Sequence, residues 1–262
     1  MDRWANNEWY HLLTDVVTYG RITTPRGKET REILNSRAQI SMTRPVVNAK
    51  ERKLGYRFMC AEAAWIMDGD DRVATIAPFS KKISNFSDDR ERFFGAYGPK
   101  FRGQLQYVID SLRRDPNTRQ AVINIWRENP PVTKDYPCTL SVQVMIRLGY
   151  LDAFVTMRSN DVWLGTPYDW FNASMLAAYI LIELQEPEIK LGTLYHVAAS
   201  RHLYANNFDD AARVLKNGSP EFNYEPLNLD EFNSGDELSK HLWTLARKEP
   251  IKHEWLKELN AR

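Results

Sequence analysis

The sequence predicts an α+β fold, on three observations. Segments with apolar residues at helical spacing and β-rich runs follow one another in mixed order. Three of the β-rich runs are consecutive, and a long apolar helix comes after them. No repeat, low-complexity tract or linker divides the 262 residues, so we expect one domain over 1–262, with a variable, charged C-terminal segment at 215–262.

The first half of the chain contains three predicted helices. NEWYHLLTDVVTYG is amphipathic and ends at Gly20, and a polar turn with strand-like residues follows it in RITTPRGKETREILNSRAQISM. YRFMCAEAAWIMDG has apolar residues at helical spacing and stops at Gly69. GQLQYVIDSLRRDP is the third helix, which Asp115 and Pro116 close.

Three predicted strands and a long helix follow these helices. RQAVINIW, TLSVQVMIRLG and LDAFVTMRS are β-rich, and a turn centred on Gly149 joins the last two. WFNASMLAAYILIELQ is apolar over its whole length, which predicts a central helix. The tail DELSKHLWTLARKEPIKHEWLKELNAR is charged and predicted to be partly helical.

Composition excludes several classes of function. Hydrophobic residues at 43% and charged residues at 26% are ordinary globular values, and the net charge of +1 argues against a nucleic-acid partner. No apolar run approaches the roughly 20 residues of a membrane span. The two cysteines make no disulfide framework, so we expect a reducing, cytoplasmic setting. No Cys/His cluster has the spacing of metal ligands, and we expect no metal.

Five polar residues are candidates for chemistry, and each also has a structural interpretation. Cys138 directly follows a proline at the mouth of a strand, and a lone cysteine is most often a small buried hydrophobe. Glu62 interrupts an apolar helix, which fits either a carboxylate at the helix edge or a functional acid. Arg158 follows a strand, as an ion-pair partner or an anion clamp would. His202 and Tyr204 are compatible with simple packing or with a ligand site.

Taken together, five motifs in order resemble the thymidylate synthase family over roughly residues 8–210. They are EAAWIMDGD, DPNTRQ, YPCTLSVQV, MRSNDVWLGTPYD and RHLY. The resemblance implies a single α+β domain with a large mixed β-sheet covered by helices, which dimerises through the sheet. It also implies that Cys138 attacks C6 of a pyrimidine nucleotide, whose C5 then takes a one-carbon unit from 5,10-methylenetetrahydrofolate.

The resemblance assigns a set of residues to the nucleotide phosphate and sugar. Arg158 would clamp the 5′-phosphate and favour the Cys138 thiolate, and Ser159 would share the phosphate contact. Arg26 resembles the mobile phosphate-binding arginine of the family. Arg119 matches the first of an arginine pair that crosses the homodimer interface to the partner's phosphate, and the second of that pair is Gln120 here. The sugar 3′-hydroxyl would bind His202 and Tyr204.

The resemblance likewise assigns residues to the base and the folate. Glu62 would organise the water network and proton transfers around the base. Asp161 would hold the pterin ring of the folate, and further wall residues of that cavity would be Leu164, Gly165 and Tyr97.

Asp169 departs from the pattern of uridylate enzymes, in which the resemblance expects asparagine. A carboxylate accepts a hydrogen bond from the N4 amino group of cytosine, as acidic side chains do elsewhere. It also stabilises a proton on N3 once the thiol has added to C6. The same carboxylate would face O4 of uracil and repel it, so the sequence predicts a dCMP-specific enzyme.

Further departures point to deoxycytidylate hydroxymethylases, a branch of the family known from bacteriophages that build modified DNA. Thr139 replaces the histidine that is usual after the cysteine, and IAPFSKKISNFSDD has no tryptophan where methylating enzymes place one. KHEWLKELNAR lacks the short apolar ending that closes over folate. We therefore expect water to attack the exocyclic methylene, giving 5-hydroxymethyl-dCMP and tetrahydrofolate in the cytoplasm, or in the host cytoplasm if a phage encodes the chain.

Alternatives stay open at this point. A dCMP methylase would share Asp169 and differ only in how the intermediate is quenched. A CMP hydroxymethylase is compatible with the sequence, because AASR at 198–201 replaces the Gly-rich motif that the family usually has there, and the preference for deoxyribose over ribose is therefore open. A dUMP-specific thymidylate synthase and a non-catalytic nucleotide-binding protein are further alternatives.

Overall fold

The computed structural model describes residues 4–49, 52–80, 82–218, 224–250 and 255–256. Within these ranges, seven strands form one sheet and seven α-helices flank it. The helices are α1 (Ala5–Tyr19), α2 (Tyr56–Met67), α3 (Val73–Ile76), α4 (Gly98–Arg114), α5 (Thr166–Leu184), α6 (Phe208–Asn217) and α7 (Gly235–Arg247). The strands are β1 (Arg21–Thr23), β2 (Thr30–Ser41), β3 (Val122–Asn124), β4 (Thr139–Arg147), β5 (Tyr150–Met157), β6 (Asn160–Asp161) and β7 (Lys190–Tyr204).

The strand order is β1-β2-β7-β5-β4-β3, and β6 pairs with the end of β7. The β5–β7 and β6–β7 pairs are parallel, whereas the others are antiparallel. The predicted α+β class with a large mixed sheet is therefore confirmed. The tight β4–β5 turn uses left-handed backbone at Leu148 (φ 52°) and Gly149 (φ 78°), as the turn prediction required.

The longest strand, β7, is absent from the sequence-based prediction. Its residues KLGTLYHVAASRHLY include His196, Arg201 and His202, which are buried and break the apolar alternation that identifies strands. These polar side chains lie at the centre of the sheet because hydrogen bonds within the fold satisfy them.

Two further boundaries differ from prediction. Helix α4 begins at Gly98, five residues before the predicted segment, because Pro99 in the first turn costs the helix no hydrogen bond. Strand β3 is limited to Val122–Asn124.

The C-terminal segment contributes to the core. Leu238, Leu242 and Ala246 of α7 are fully buried, and α7 packs on α2. Arg57 Nε donates to the carbonyl of Ala246 over 2.7 Å. Most of the predicted C-terminal ending KHEWLKELNAR lies outside the described residues.

Helix α5 is the central helix that its apolar sequence predicts. It contacts α2, α4, β5 and β7, and it is buried on nearly every side. Its first turns bring Asp169 and Asn172 to a cavity between α5 and α2. Among the described helices, none is both long and apolar enough to span a bilayer.

Candidate active site

A cavity of about 220 Å³ gathers the central candidates in one place. Its polar side carries Cys138, Glu62, Asp169 and Asn172. Its other lining residues include Trp65, Ile66, Ile76, Ile83, Phe86, Phe93, Tyr97 and Asp135. A concave site that combines an apolar wall with a few convergent polar groups is the usual form of a small-molecule site.

Cys138 lies directly before β4, next to Arg158 at the end of β5. The guanidinium of Arg158 donates to the carbonyls of Pro137 (Nε, 2.9 Å) and Tyr136 (Nη2, 3.1 Å), and its Nη2 lies 3.7 Å from the Cys138 sulfur. Burial raises the pKa of the thiol by more than the nearby charges of Arg158 and Arg26 lower it. Burial therefore outweighs the charge of Arg158 at this thiol.

The other cysteine differs sharply from Cys138. Cys60 lies inside α2 and is fully enclosed, and burial raises the pKa of its thiol to about 12. Such a thiol is inert at neutral pH, so Cys138 is the thiol suited to nucleophilic attack.

Glu62 projects from α2 into the cavity. Burial raises its pKa to about 7, and a hydrogen bond from Nδ2 of Asn172 to Glu62 Oε2 (2.8 Å) partly offsets that rise. A carboxyl group that titrates near neutral pH can both accept and release protons during turnover.

Asp169 occupies the first turn of α5. Burial raises its pKa to about 8, and the charges of Glu62 and Asp161 add to that rise. Opposing effects come from Arg201 and from the hydrogen bond that Asn160 Nδ2 donates to Asp169 Oδ2 over 2.7 Å. Burial and the charge of Glu62 therefore favour the protonated form of Asp169 at neutral pH.

The residues expected at the phosphate and sugar lie near one another. Ser159 Oγ and His202 Nδ1 are 3.5 Å apart, and the rings of His202 and Tyr204 meet edge to face. Arg26 lies on an exposed loop with left-handed backbone (φ 53°), yet its charge lowers the pKa values of Cys138 and His202. The loop therefore holds a cation beside the cavity.

The four residues expected at the folate have different environments. Tyr97 lines the cavity, and its hydroxyl accepts a hydrogen bond from the Thr139 backbone N–H (3.2 Å). Asp161 Oδ1 accepts from the backbone N–H groups of residues 163 and 164, both at 2.8 Å, so one of its oxygens shapes the turn before α5. Leu164 is half exposed. A Cβ on Gly165 would meet Asp169 Oδ2 at 3.0 Å, so this glycine leaves room for the carboxyl group.

Of the predicted site residues, Cys138, Glu62, Asp169 and Tyr97 line this cavity, whereas Arg119 lies on a different surface. It is exposed on the turn between α4 and β3, where it lines a separate polar cavity with Gln120. Its carbonyl accepts from Gln143, and the carbonyl of Gln120 accepts from the hydroxyl of Tyr107. Within one chain, Arg119 does not line the cavity of Cys138.

Three residues of this region were not among the predicted site residues. Asn172 follows Asp169 by three positions, a spacing that puts both on one helix face and was a usable signal. Asn160 and Arg201 meet behind Asp169 and belong to sequence stretches that are far apart. Their pairing has no local signal.

The chain is also similar in sequence to known proteins. A family model described as thymidylate synthase matches residues 7–239. A deoxyuridylate hydroxymethyltransferase of Bacillus phage SP01 is 30% identical over an alignment of 223 residues, and the match covers 75% of this chain and 56% of that protein. The matched region thus spans little more than half the length of that relative.

Proposed function

The chain belongs to the thymidylate synthase family, and from that premise we propose that it makes 5-hydroxymethyl-dCMP from dCMP, 5,10-methylenetetrahydrofolate and water, releasing tetrahydrofolate. The observation that carries the proposal is Asp169, an acid with a pKa of about 8 that lines the same cavity as Cys138. The hydroxymethyltransferase from phage SP01 supports the type of reaction.

Cys138 is the proposed nucleophile. Its thiolate adds to C6 of the cytosine ring, and the electron density that leaves the C5–C6 bond moves towards C5 and N3. Arg158 sits 3.7 Å from the sulfur and favours the thiolate, while its remaining donors suit a phosphate group. The proposal therefore gives Arg158 two linked roles, at the thiol and at the 5′-phosphate.

Asp169 is the proposed acid at N3. Because it is largely protonated at neutral pH, it can donate to N3 as the ring gains negative charge. Its second oxygen can accept from the N4 amino group, which matches the cytosine pattern of acceptor and donor. This interaction strengthens as the thiol adds, so it stabilises the transition state more than the bound substrate.

Glu62 is the proposed group for the later proton transfers. With a pKa of about 7 and a fixed partner in Asn172, it can help remove the C5 proton and then activate water. The water oxygen bonds to the exocyclic methylene, and expulsion of the Cys138 thiolate from C6 restores the aromatic ring. Glu62 would take the C5 proton and the water proton in turn, and both would end on the two nitrogen atoms of tetrahydrofolate that had carried the one-carbon unit. The net change at C5 is the replacement of H by CH2OH.

The apolar wall of the cavity fits a folate. Ile76, Ile83 and Phe86 offer a surface for a flat ring system beside Cys138. When bound, the folate supplies a one-carbon unit at the oxidation level of formaldehyde. Tyr97 and Leu164 would border the ring and Asp161, through its Oδ2, would hold the pterin.

The remaining site residues would bind the rest of the nucleotide. Ser159 and Arg26 would join Arg158 at the phosphate, and His202 with Tyr204 would bind the 3′-hydroxyl. Arg119 would reach the phosphate of the partner subunit in a homodimer, because it is exposed and distant from its own cavity.

A second candidate is hydroxymethyl transfer to dUMP. It rests on the printed activity of the phage SP01 relative. The two candidates share every proposed step except base recognition, where a protonated Asp169 could also donate to O4 of uracil.

The deciding experiment measures product masses with methylenetetrahydrofolate and dCMP, dUMP or CMP in parallel. We expect CH2O to be added to dCMP, with tetrahydrofolate as the second product. Addition of CH2 with formation of dihydrofolate would replace the proposal with a methylase, and preferred turnover of dUMP or CMP would overturn the assigned base or sugar. In Asp169→Asn, the preference for dCMP over dUMP is expected to reverse.

A further inference from the structure

A chain of buried hydrogen bonds lies behind Asp169, and we propose that Arg201, acting through Asn160, fixes which oxygen of Asp169 carries the proton and so sets the choice of base. This role makes Arg201 a positioning residue for specificity. The inference rests on the proposed function, because it concerns how that same acid distinguishes cytosine from uracil.

The hydrogen bonds to Oδ1 fix the orientation of the Asn160 amide. Its Oδ1 accepts from Arg201 Nη1 at 2.6 Å and from the Thr166 hydroxyl. A guanidinium has donors only, so a flipped amide would set NH2 against N–H groups. Nδ2 therefore has to face Asp169, where it donates to Oδ2 over 2.7 Å.

Arg201 itself is held in place. It is 0% exposed, its Nε donates to Ser36 Oγ (2.8 Å), and its Nη2 lies 2.9 Å from His196 Nδ1. Burial and the charge of Arg201 keep the pKa of His196 well below its usual value, so the imidazole is neutral and Nδ1 can accept. Moving the guanidinium away would break several bonds between β7, β2 and β6.

This arrangement makes the two oxygens of Asp169 unequal. Oδ2 accepts the hydrogen bond from Asn160 Nδ2. In a neutral carboxyl group the carbonyl oxygen is a better acceptor than the hydroxyl oxygen, so this bond favours Oδ2 as the carbonyl oxygen. The proton of neutral Asp169 is therefore favoured on Oδ1. Glycine at position 165 allows this contact, since a Cβ there would meet Oδ2 at 3.0 Å and Asn160 Nδ2 at 3.5 Å.

A fixed proton position matters because both bases can pair with a neutral acid. Cytosine needs a donor opposite N3 and an acceptor opposite N4, whereas uracil needs the reverse. An acid free to carry its proton on either oxygen fits both. With the proton held on Oδ1 at N3, and Oδ2 accepting from N4, the acid fits cytosine and opposes uracil.

Several other groups act on the same acid. Glu62 from α2 and Asp161 from β6 raise the pKa of Asp169, and Arg201 from β7 lowers it. The remaining titratable groups coupled to its charge are Cys138 and Tyr97. None of these donates to Oδ2 in the described residues, so Asn160 is the contact that distinguishes the two oxygens.

The test is Asn160→Asp. This substitution keeps the shape of the side chain and an oxygen that accepts from Arg201, but it replaces the donor to Asp169 Oδ2 with an acceptor. We expect the proton of Asp169 to move to Oδ2, and the ratio of kcat/KM for dCMP to that for dUMP to fall at least about tenfold. Arg201→Met should lower the ratio in the same direction, and Arg201→Lys, which keeps the charge, should recover part of it. Asn124→Asp makes the same change at an exposed position of β3 and should leave the ratio unchanged.

The outcomes separate this inference from the proposed function. If the unmodified protein turns over dUMP in preference, or does not hydroxymethylate dCMP, the proposed function fails. If the unmodified protein hydroxymethylates dCMP, but Asn160→Asp lowers kcat/KM for dCMP and for dUMP by the same factor, the network is only structural and this inference is overturned. Thermal unfolding of each variant reports whether it folds. If Asn160→Asp does not fold, Asn160→Ser removes the same donor with a smaller side chain.

Discussion

Asn172 and Glu62 join two helices across the cavity, through a 2.8 Å hydrogen bond from the amide of α5 to the carboxyl group of α2. The bond lowers the pKa of Glu62, which burial raises to about 7. The amide oxygen of Asn172 is buried and has no hydrogen-bond partner among the described residues, so the side chain is positioned by this single bond. The contact sets the working pH range of the proposed base.

Asn172→Leu is expected to raise the pKa of Glu62 further. Because hydrogen bonds to charged groups contribute about 1.5–3 kcal/mol, the acid limb of the kcat profile should move up by about one pH unit or more. The measurement is kcat for dCMP from pH 5.5 to 9. Ser174→Ala removes another buried hydrogen bond of α5, to the Trp170 carbonyl, and should leave the limb in place.

Asp169→Asn and Glu62→Gln are expected to stabilise the protein at high pH. Both acids have folded-state pKa values (about 8 and about 7) above their ordinary values near 4, so the folded state keeps protons that the unfolded chain loses. Each acid should therefore lower the stability of the parent protein as pH rises from about 4 to 8, by on the order of 3–6 kcal/mol per acid, and each variant should recover the share of the acid that it removes.

Urea unfolding at pH 5, 6.5 and 8 checks this stability prediction. The gain of each variant should be smallest at pH 5 and largest at pH 8. A gain that is equal at all three values would contradict the assigned pKa shifts. Asp209→Asn on the exposed face of α6 controls for the loss of a surface carboxylate.

Arg158→Met is expected to slow alkylation of Cys138. The guanidinium lowers the pKa of this thiol, so its removal leaves Arg26 to oppose the effect of burial and reduces the thiolate fraction at pH 8 by about three- to tenfold. Iodoacetamide labelling followed by peptide mass analysis measures the rate at each cysteine. Arg158→Lys keeps the charge and should label faster than Arg158→Met, while the buried Cys60 should stay unlabelled in both folded variants.

Arg119 provides a test of the proposed homodimer, in which each active site would borrow this arginine from the partner subunit. Arg119→Met and Cys138→Ser should each be nearly inactive alone, and mixing the two after reversible dissociation should restore activity. Half of the re-formed dimers are mixed, and each mixed dimer has one complete site of two, so recovery should approach roughly one quarter of the parent activity. No recovery, with dimers present by sedimentation, would show that Arg119 acts in its own subunit or not at all.

The sequence by itself determined much of the fold and the identity of the central residues. Helices α1, α2 and α5 and the β4–β5 hairpin follow from local apolar periodicity and from turn residues such as Gly149. The motifs around Cys138, Glu62, Arg158 and Asp169 named four residues that the fold gathers in one region. Local spacing and residue type are sufficient for the helices and the hairpin, because these depend on neighbours in the chain, whereas the four residues followed from the resemblance of their motifs to the thymidylate synthase family.

Only the tertiary structure decided the state of those residues. The pKa of Asp169 depends on its burial and on Glu62, which α2 brings from a distant part of the sequence. Strand β7 escaped prediction because its polar side chains are satisfied by partners such as Asn160, 41 residues from Arg201. Burial and long-range hydrogen bonds set which acid keeps a proton and on which oxygen, and neither quantity is present in the local sequence.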